Sequence, residues 1–365
     1  MKKQIDIAVA CLYPIRPDRI GGMDRFFWAF DQAVKAKGKR IVWFFPAASG
    51  YSHYEQMGLQ MEFVSDSVFE AGVINKVQHE FNAAICVCHF VPYNTRYVSK
   101  LKSHVGKLFF VDHMSRPRIP KSFKYRIWYY LKGIINRKHV DGVIAVSDYV
   151  KHRIANELGS HWLAKTKTIH NGVDFDLYQS NKTVTEPMSD LFAIGYVTID
   201  KGFQDLILAV SILKPDFPSI SCLIAGDGPY RPELEALVVE LGLSSHIRFI
   251  GNINNQFDWM RGSRVVVIPS LWYEACPFTV IESMACGAAM VVSDAGGIPE
   301  LVDDAALVYP KGDTIALANQ LKKLLVDSML QRRIGSMAAE HANRHFGLNR
   351  MVGEHIEYSL NQLQS

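Results

Sequence analysis

Ser270-Leu-Trp-Tyr-Glu-Ala-Cys-Pro-Phe-Thr-Val-Ile-Glu-Ser-Met-Ala-Cys-Gly287 follows directly on the apolar run Val265-Val-Val-Ile268. The run reads as a buried parallel strand, Pro277 suits the first turn of a following helix, and Gly287 suits its C-terminal end. Strand, loop and helix in that order are the repeating unit of a parallel α/β sheet. Glu274 then falls on the loop and Glu282 inside the helix, eight residues on. A helix N-terminus offers free N–H groups and the positive end of the backbone dipole, so the amides of Phe278, Thr279 and Val280 are placed to hold a diphosphate. An ionised carboxylate only accepts hydrogen bonds, and its two oxygens match a vicinal diol. One Glu can take a ribose and the other a sugar ring, which makes the stretch a sugar-nucleotide site. The plainer alternative leaves Glu274 as a loop carboxylate and Glu282 as a solvated helix residue.

Outward from this stretch the same alternation of apolar runs and helix-length segments fills the chain. In the first half the runs are 5–11, 41–45, 84–88, 108–111 and 143–146; in the second they are 191–194, 222–225, 248–250, 265–268, 290–292 and 307–309. Two doubly wound sheets are implied, and 365 residues exceed what one core comfortably fills. The polar stretch 179–190 lacks apolar periodicity and reads as a loop near the boundary. A hydrophobic content of 48% and a net charge of +4 describe an ordinary globular chain. The six cysteines lie mostly inside strand-like runs with no paired C-x-x-C pattern, so buried free thiols in a reducing compartment are expected. Asp6 interrupts the first apolar stretch, which reads as a first strand rather than a signal peptide. No run reaches the length of a membrane span, so membrane contact is expected to be peripheral.

The segment Trp272 to Gly287, with Gly296-Gly-Ile-Pro-Glu-Leu301 behind it, resembles the E-x7-E signature of the retaining family-4 glycosyltransferases. Further blocks stand in family order: Ile20-Gly-Gly-Met-Asp-Arg25 with Asp24 where Glu is commoner, Asp141 to Lys151, Ile169-His-Asn-Gly-Val-Asp174, Ala225-Gly-Asp-Gly-Pro229 and Phe249-Ile-Gly251. The resemblance implies the GT-B fold, two Rossmann-like doubly wound α/β domains facing a cleft. It places an acceptor-side domain at 1–172, a nucleotide-sugar-binding domain at 173–345, and a last helix, about 346–365, packing back on the first. It implies transfer of a sugar from a nucleotide-diphosphate donor, UDP-sugar favoured and GDP-sugar possible, with no metal and no cofactor. The implied acceptor is a lipid-linked or envelope saccharide (lipopolysaccharide, O-antigen or capsule), handled in the cytoplasm at the inner face of the membrane. In that frame Lys201 and the helix start near Phe278 stabilise the leaving diphosphate, Glu282 holds the ribose, Glu274 the donor sugar and His113 a sugar hydroxyl. One departure stands out: relatives carry Gly-Arg before Lys-Gly, whereas here the stretch is Gly195-Tyr-Val-Thr-Ile-Asp-Lys-Gly202. Tyr196 can donate one hydrogen bond but brings no charge, so another cation replaces the Arg or the load shifts to Lys201 and the helix amides.

Gly21 and Gly22 either let the backbone approach a donor phosphate or simply turn strand into helix. Phe26, Phe27, Phe30, Ala33 and Val34 behind them fit one buried helix face. A lone histidine such as His113 is often structural, and only the resemblance makes it a contact. Gly226-Asp-Gly228 lacks the third glycine of a dinucleotide fingerprint, so hydride transfer is unsupported. From His113 to Val140 there is no acidic residue, while Arg116, Arg118, Lys121, Lys124, Arg126, Lys132, Arg137 and Lys138 gather around Phe123, Tyr125, Trp128, Tyr129 and Tyr130. Lys121, Lys124, Arg126 and Trp128 are membrane-contact candidates, since cations among interfacial rings suit an anionic lipid surface. A nucleic-acid surface and a plain solvated helix are the competing readings. An epimerase of the same architecture and a non-catalytic glycan- or lipid-binding protein are the rival functions.

Overall fold

The structure, a computed structural model, describes residues 2–15, 20–46, 54–55, 57–64, 68–115, 122–178 and 188–360. The chain divides into two compact units, Met1–Asn171 with Leu348–Ser365, and Gly172–Gly347. The first holds strands β1 (Lys3–Cys11), β2 (Ile41–Pro46), β3 (Met61–Val64), β4 (Phe81–His89), β5 (Val105–Asp112), β6 (Gly142–Ala145) and β7 (Thr166–Thr168). Its sheet runs β3-β2-β1-β4-β5-β6-β7 with parallel pairing throughout. The second unit holds β8 (Ser189–Ile194), β9 (Cys222–Ala225), β10 (Ile247–Gly251), β11 (Ser263–Ile268), β12 (Met290–Ser293) and β13 (Leu307–Tyr309). These run β10-β9-β8-β11-β12-β13, again parallel. Both orders are doubly wound, with the direction of winding reversing between β1 and β4 and between β8 and β11. Ligands of such sheets bind beyond the strand ends at that reversal.

Central strands of both units are continuous apolar runs because helices cover both sheet faces. In the first unit, helix Gly22–Ala36 buries Phe26, Phe27, Phe30 and Val34, while Ala33 is half-buried. Phe27 packs on Trp43 with ring centroids 5.2 Å apart, and the Trp43 indole N–H donates to Asp31 Oδ1 at 3.0 Å, so the large ring is buried with its polar atom satisfied. The last helix, Leu348–Leu360, belongs to this unit. His355 packs on Phe26 at 4.7 Å, and the Tyr358 hydroxyl donates to the Lys165 carbonyl at 2.8 Å. In the second unit, helices Phe203–Leu213 and Thr314–Val326 bring Leu206, Val210, Leu317 and Leu321 against Leu191, Ile224 and Val265. Cys11, Cys86, Cys88, Cys222 and Cys276 are buried free thiols, and Cys286 is half-buried. No helix among the described residues is long and apolar enough to cross a membrane.

Candidate active site

The ends of β8 and β11, the two strands flanking the reversal of the second sheet, carry the residues singled out in the sequence. After β8 the chain passes Gly195 and Tyr196 and makes one short 3-10 turn, Ile199–Lys201. After β11 it runs through Ser270 and Glu274 into helix Phe278–Ala285. The two loops lock together: the Leu271 and Trp272 amides both donate to the Asp200 carbonyl at 2.9 Å. Gly202 permits this approach, since its φ is +71° and a Cβ there would sit 1.8 Å from the Pro269 carbonyl oxygen. The result is an ion pair, Lys201 Nζ to Glu274 Oε1 at 2.6 Å, with Ser270 Oγ donating to the same oxygen at 2.9 Å. Both side chains keep a route to solvent, 32% exposed for Lys201 and 13% for Glu274.

Glu274 is fixed from behind as well. The Gly297 amide donates to the Glu274 carbonyl at 2.8 Å, and Gly296, at φ +67°, passes so close that a Cβ would lie 2.3 Å from that oxygen. This is what the Gly-Gly of 296–301 does for the site. Pro277 is the N-cap of the helix rather than a residue of its first turn, with extended backbone and no side-chain cap. The Val280 amide already donates to the Pro277 carbonyl at 3.2 Å, so of the three amides assigned to a diphosphate this one is engaged. Glu282 is only 7% exposed, which overturns the solvated-helix alternative. Its Oε1 accepts from the Tyr178 hydroxyl at 3.3 Å, and Arg261 holds Tyr178 by its carbonyl at 2.8 Å. Tyr196 is 63% exposed.

In the first unit, Gly21 has φ −106°, open to any residue, and its amide donates to Asp24 Oδ2 at 2.7 Å. That amide is therefore engaged by the helix start, and the Gly21 backbone is a strand-to-helix turn. Asp24 is buried and also accepts from the Tyr54 hydroxyl. His113, just past β5, stacks on Phe90 at 4.3 Å and shares a hydrogen bond with His89, Nδ1 to Nε2 at 3.0 Å. Burial, and then the neighbouring His355, push the His113 pKa down to about 3, so its ring is neutral. A neutral imidazole can donate through one nitrogen and accept through the other.

The family description Glycosyltransferase Family 4 matches residues 20–177, and Glycosyl transferases group 1 matches residues 178–341. The chain belongs to the family-4 glycosyltransferases. It is similar to N-acetyl-alpha-D-glucosaminyl L-malate synthase of Bacillus anthracis, 26% identical over 56% of this chain and 57% of that one. It is also similar to the lipopolysaccharide core biosynthesis mannosyltransferase LpcC of Rhizobium leguminosarum bv. viciae, 28% identical over 60% of this chain and 64% of that one. The chain spans about half the length of the curated relatives it matches. Among solved structures it resembles Anabaena Alr3699/HepE in complex with UDP, with a TM-score of 0.80 at 18% identity over 97% of this chain and 99% of that one. That likeness speaks for the fold, here the GT-B pair of α/β units.

Among these family-4 positions, the β8 and β11 loops unite Lys201 with Glu274, whereas Glu282 faces inward toward Tyr178. Sequence reasoning passed over Ser270, Tyr178, His89 and Phe90. Ser270 stands inside the quoted stretch, but nothing in its own neighbourhood marks it as the residue that orients Glu274. Tyr178 and Phe90 reach their partners only through folding. The helix Phe123–Arg137, capped by Ser122, buries just Gly133 and Asn136. Lys124, Arg126 and Trp128 are exposed on it, as are Phe123, Ile127, Leu131, Ile134 and Ile135, and Lys132 sits 3.7 Å over the Trp128 ring. Lys121 lies outside the described residues, as do Arg116 and Arg118.

Proposed function

We propose that this chain transfers a sugar from a nucleoside-diphosphate sugar to an acceptor hydroxyl, with retention at the anomeric carbon. The observation that carries the reading is the Lys201–Glu274 pair, held at the reversal of the second sheet beside the start of helix Phe278–Ala285. As the sugar–oxygen bond breaks, negative charge builds on the β-phosphate. Lys201 and the Phe278 and Thr279 amides meet that charge, and because they are already positioned they cost little reorganisation. Lys201 then exchanges part of its pairing with Glu274 for the phosphate, which leaves the Glu274 carboxylate to accept from donor-sugar hydroxyls. Glu282 is the ribose candidate, and His113 the first unit's candidate for a sugar hydroxyl. Tyr196 supplies a hydroxyl but no charge where relatives have Arg, so Lys201 carries more of the load. No metal or cofactor is invoked.

A UDP-sugar donor is favoured by the UDP complex of the structural relative, and an envelope saccharide acceptor by the name of the Rhizobium relative. The exposed rings and cations of helix Phe123–Arg137 support a second element of the reading, peripheral attachment to an anionic membrane on the side where nucleotide sugars are made. The deciding experiment is mass spectrometry of products from UDP- and GDP-sugars with and without envelope lipid extract. Acceptor-dependent donor consumption is expected. A changed nucleotide sugar released without acceptor would establish an epimerase, and binding without turnover would establish a non-catalytic protein.

A further inference from the structure

Every strand of the second sheet is parallel, so the loops after β8 to β13 all open on the edge where helix Phe278–Ala285 begins. Three cations follow the strand ends there: Lys201 after β8, Arg231 at the start of the helix after β9, and Lys311 after β13. Two of them are offset by carboxylates. Lys201 pairs with Glu274 at 2.6 Å, and Arg231 meets Glu235 at 2.7 Å and Asp227 at 3.9 Å. Lys311 is different. Its ammonium sits 3.2 Å over the Tyr273 ring and donates to the Leu271 carbonyl at 3.3 Å, and it makes no ion pair among the described residues. Asp294 takes the backbone amide of Lys311, at 2.8 Å, and not its ammonium.

A ring face and a carbonyl are neutral partners. They hold an ammonium through a quadrupole and a dipole, and they leave its unit charge uncancelled. Lys311 is half-buried on this seat, where water screens a charge less than on open surface. Gly312, at φ +80°, turns the chain behind it, and a Cβ there would stand 3.8 Å from Leu271 Cδ2, so the loop after β13 packs on the loop after β11. Leu271 joins the two lysines. Its carbonyl accepts from Lys311, and its amide donates to the carbonyl of Asp200, the neighbour of Lys201. An uncancelled cation is therefore fixed beside a pair whose own charges cancel. Its attraction reaches an anion in the donor site without contact, because screening acts over about 10 Å at 0.1 M salt.

We propose that Lys311 gives the donor site its uncompensated positive charge, drawing in a nucleoside diphosphate and sharing with Lys201 the negative charge that builds as it leaves, where neutral Tyr196 cannot. The inference rests on the glycosyltransferase reading above.

The test uses the full chain, with UDP and GDP binding measured by calorimetry and uridine and guanosine binding by saturation-transfer NMR. Lys311→Gln removes the charge and keeps a donor for the Leu271 carbonyl, Lys311→Met removes both, and Lys311→Arg keeps the charge. The parent should bind at least one of the two diphosphates. For that diphosphate the Gln and Met variants should each lose about tenfold in affinity at low salt, a loss that shrinks as salt rises, while the matching neutral nucleoside binds as it does to the parent. Lys311→Arg should retain most of the affinity. Thermal unfolding reports whether each variant keeps its fold, and either charge-free variant decides if the other has lost it. Parent-like diphosphate affinity in a folded charge-free variant, a nucleoside loss as large as the diphosphate loss, or a loss that salt leaves unchanged would overturn the assignment of Lys311 alone. Unfolding of both charge-free variants would make Lys311 a structural cation and overturn it as well. A parent that binds neither diphosphate would instead sink the glycosyltransferase reading itself.

Discussion

Lys201 and Glu274 neutralise one another across 2.6 Å, so each sets the availability of the other. Replacing Lys201 with Ala should lower kcat far more than it raises the donor KM, because its attraction grows as the leaving group gains charge. A loss of about 2–4 kcal/mol of transition-state stabilisation is expected. Single-turnover rates with saturating donor check this, and a parent-like rate would remove Lys201 from the chemistry. Glu282→Ala should instead weaken nucleotide binding, read by calorimetry with UDP. The histidines of the first unit make a different prediction. Burial holds His113 at about 3 and His355 at about 4, and burial followed by His113 and His355 holds His89 well below the ordinary value. Unfolded histidine titrates near 6.5, so the neutral stack contributes in full above about pH 6.5. That stability is lost as pH falls from there through about 4 and 3. Urea unfolding of the first unit should therefore show a falling midpoint below about pH 6.5, and His355→Leu should flatten that limb. Parallel loss in parent and variant would place the acid sensitivity elsewhere.

At the scale of the element, helix Phe123–Arg137 buries only Gly133 and Asn136 among its residues, and displays rings and cations together. Screening acts over about 10 Å at 0.1 M salt, so attachment to anionic vesicles should weaken as salt rises. Lys124→Glu and Arg126→Glu combined with Trp128→Ala should abolish co-sedimentation with such vesicles and leave activity on a soluble acceptor analogue intact. Sedimentation that persists would make this a plain surface helix. The elements also show where sequence patterning loses its grip. Every central strand was legible as an apolar run, but β3 and β7 were not. They are the two edges of the first sheet, and Met61-Glu-Phe-Val64 and Thr166-Lys-Thr168 lack the apolar continuity of strands buried on both faces.

On the scale of the whole molecule, the second unit folds around its own core, while the first includes a helix from the far end of the chain. Ending the chain at Gly347 should therefore loosen the first unit and spare the second. Hydrogen exchange is expected to rise in helix Gly22–Ala36, which loses the His355 packing on Phe26, and in the Lys165 region, which loses Tyr358. Unchanged exchange there would mean that the last helix adds little to the fold. Saturating UDP-sugar should slow exchange in the loops after β8 and β11 of the parent, since a ligand stabilises what it binds. Protection absent from both loops would move the donor site.

The sequence by itself determined two parallel α/β sheets and the loops that carry Lys201 and Glu274, because these follow from local apolar runs and short motifs. Only the tertiary structure decided what those side chains meet. Lys201 and Glu274 are 73 residues apart, Tyr178 and Glu282 are 104 apart, and their contacts depend on which strands lie side by side. The same holds for the engaged Gly21 and Val280 amides and for buried Glu282. Strand order brings distant loops to one sheet edge, and no window of sequence carries that information.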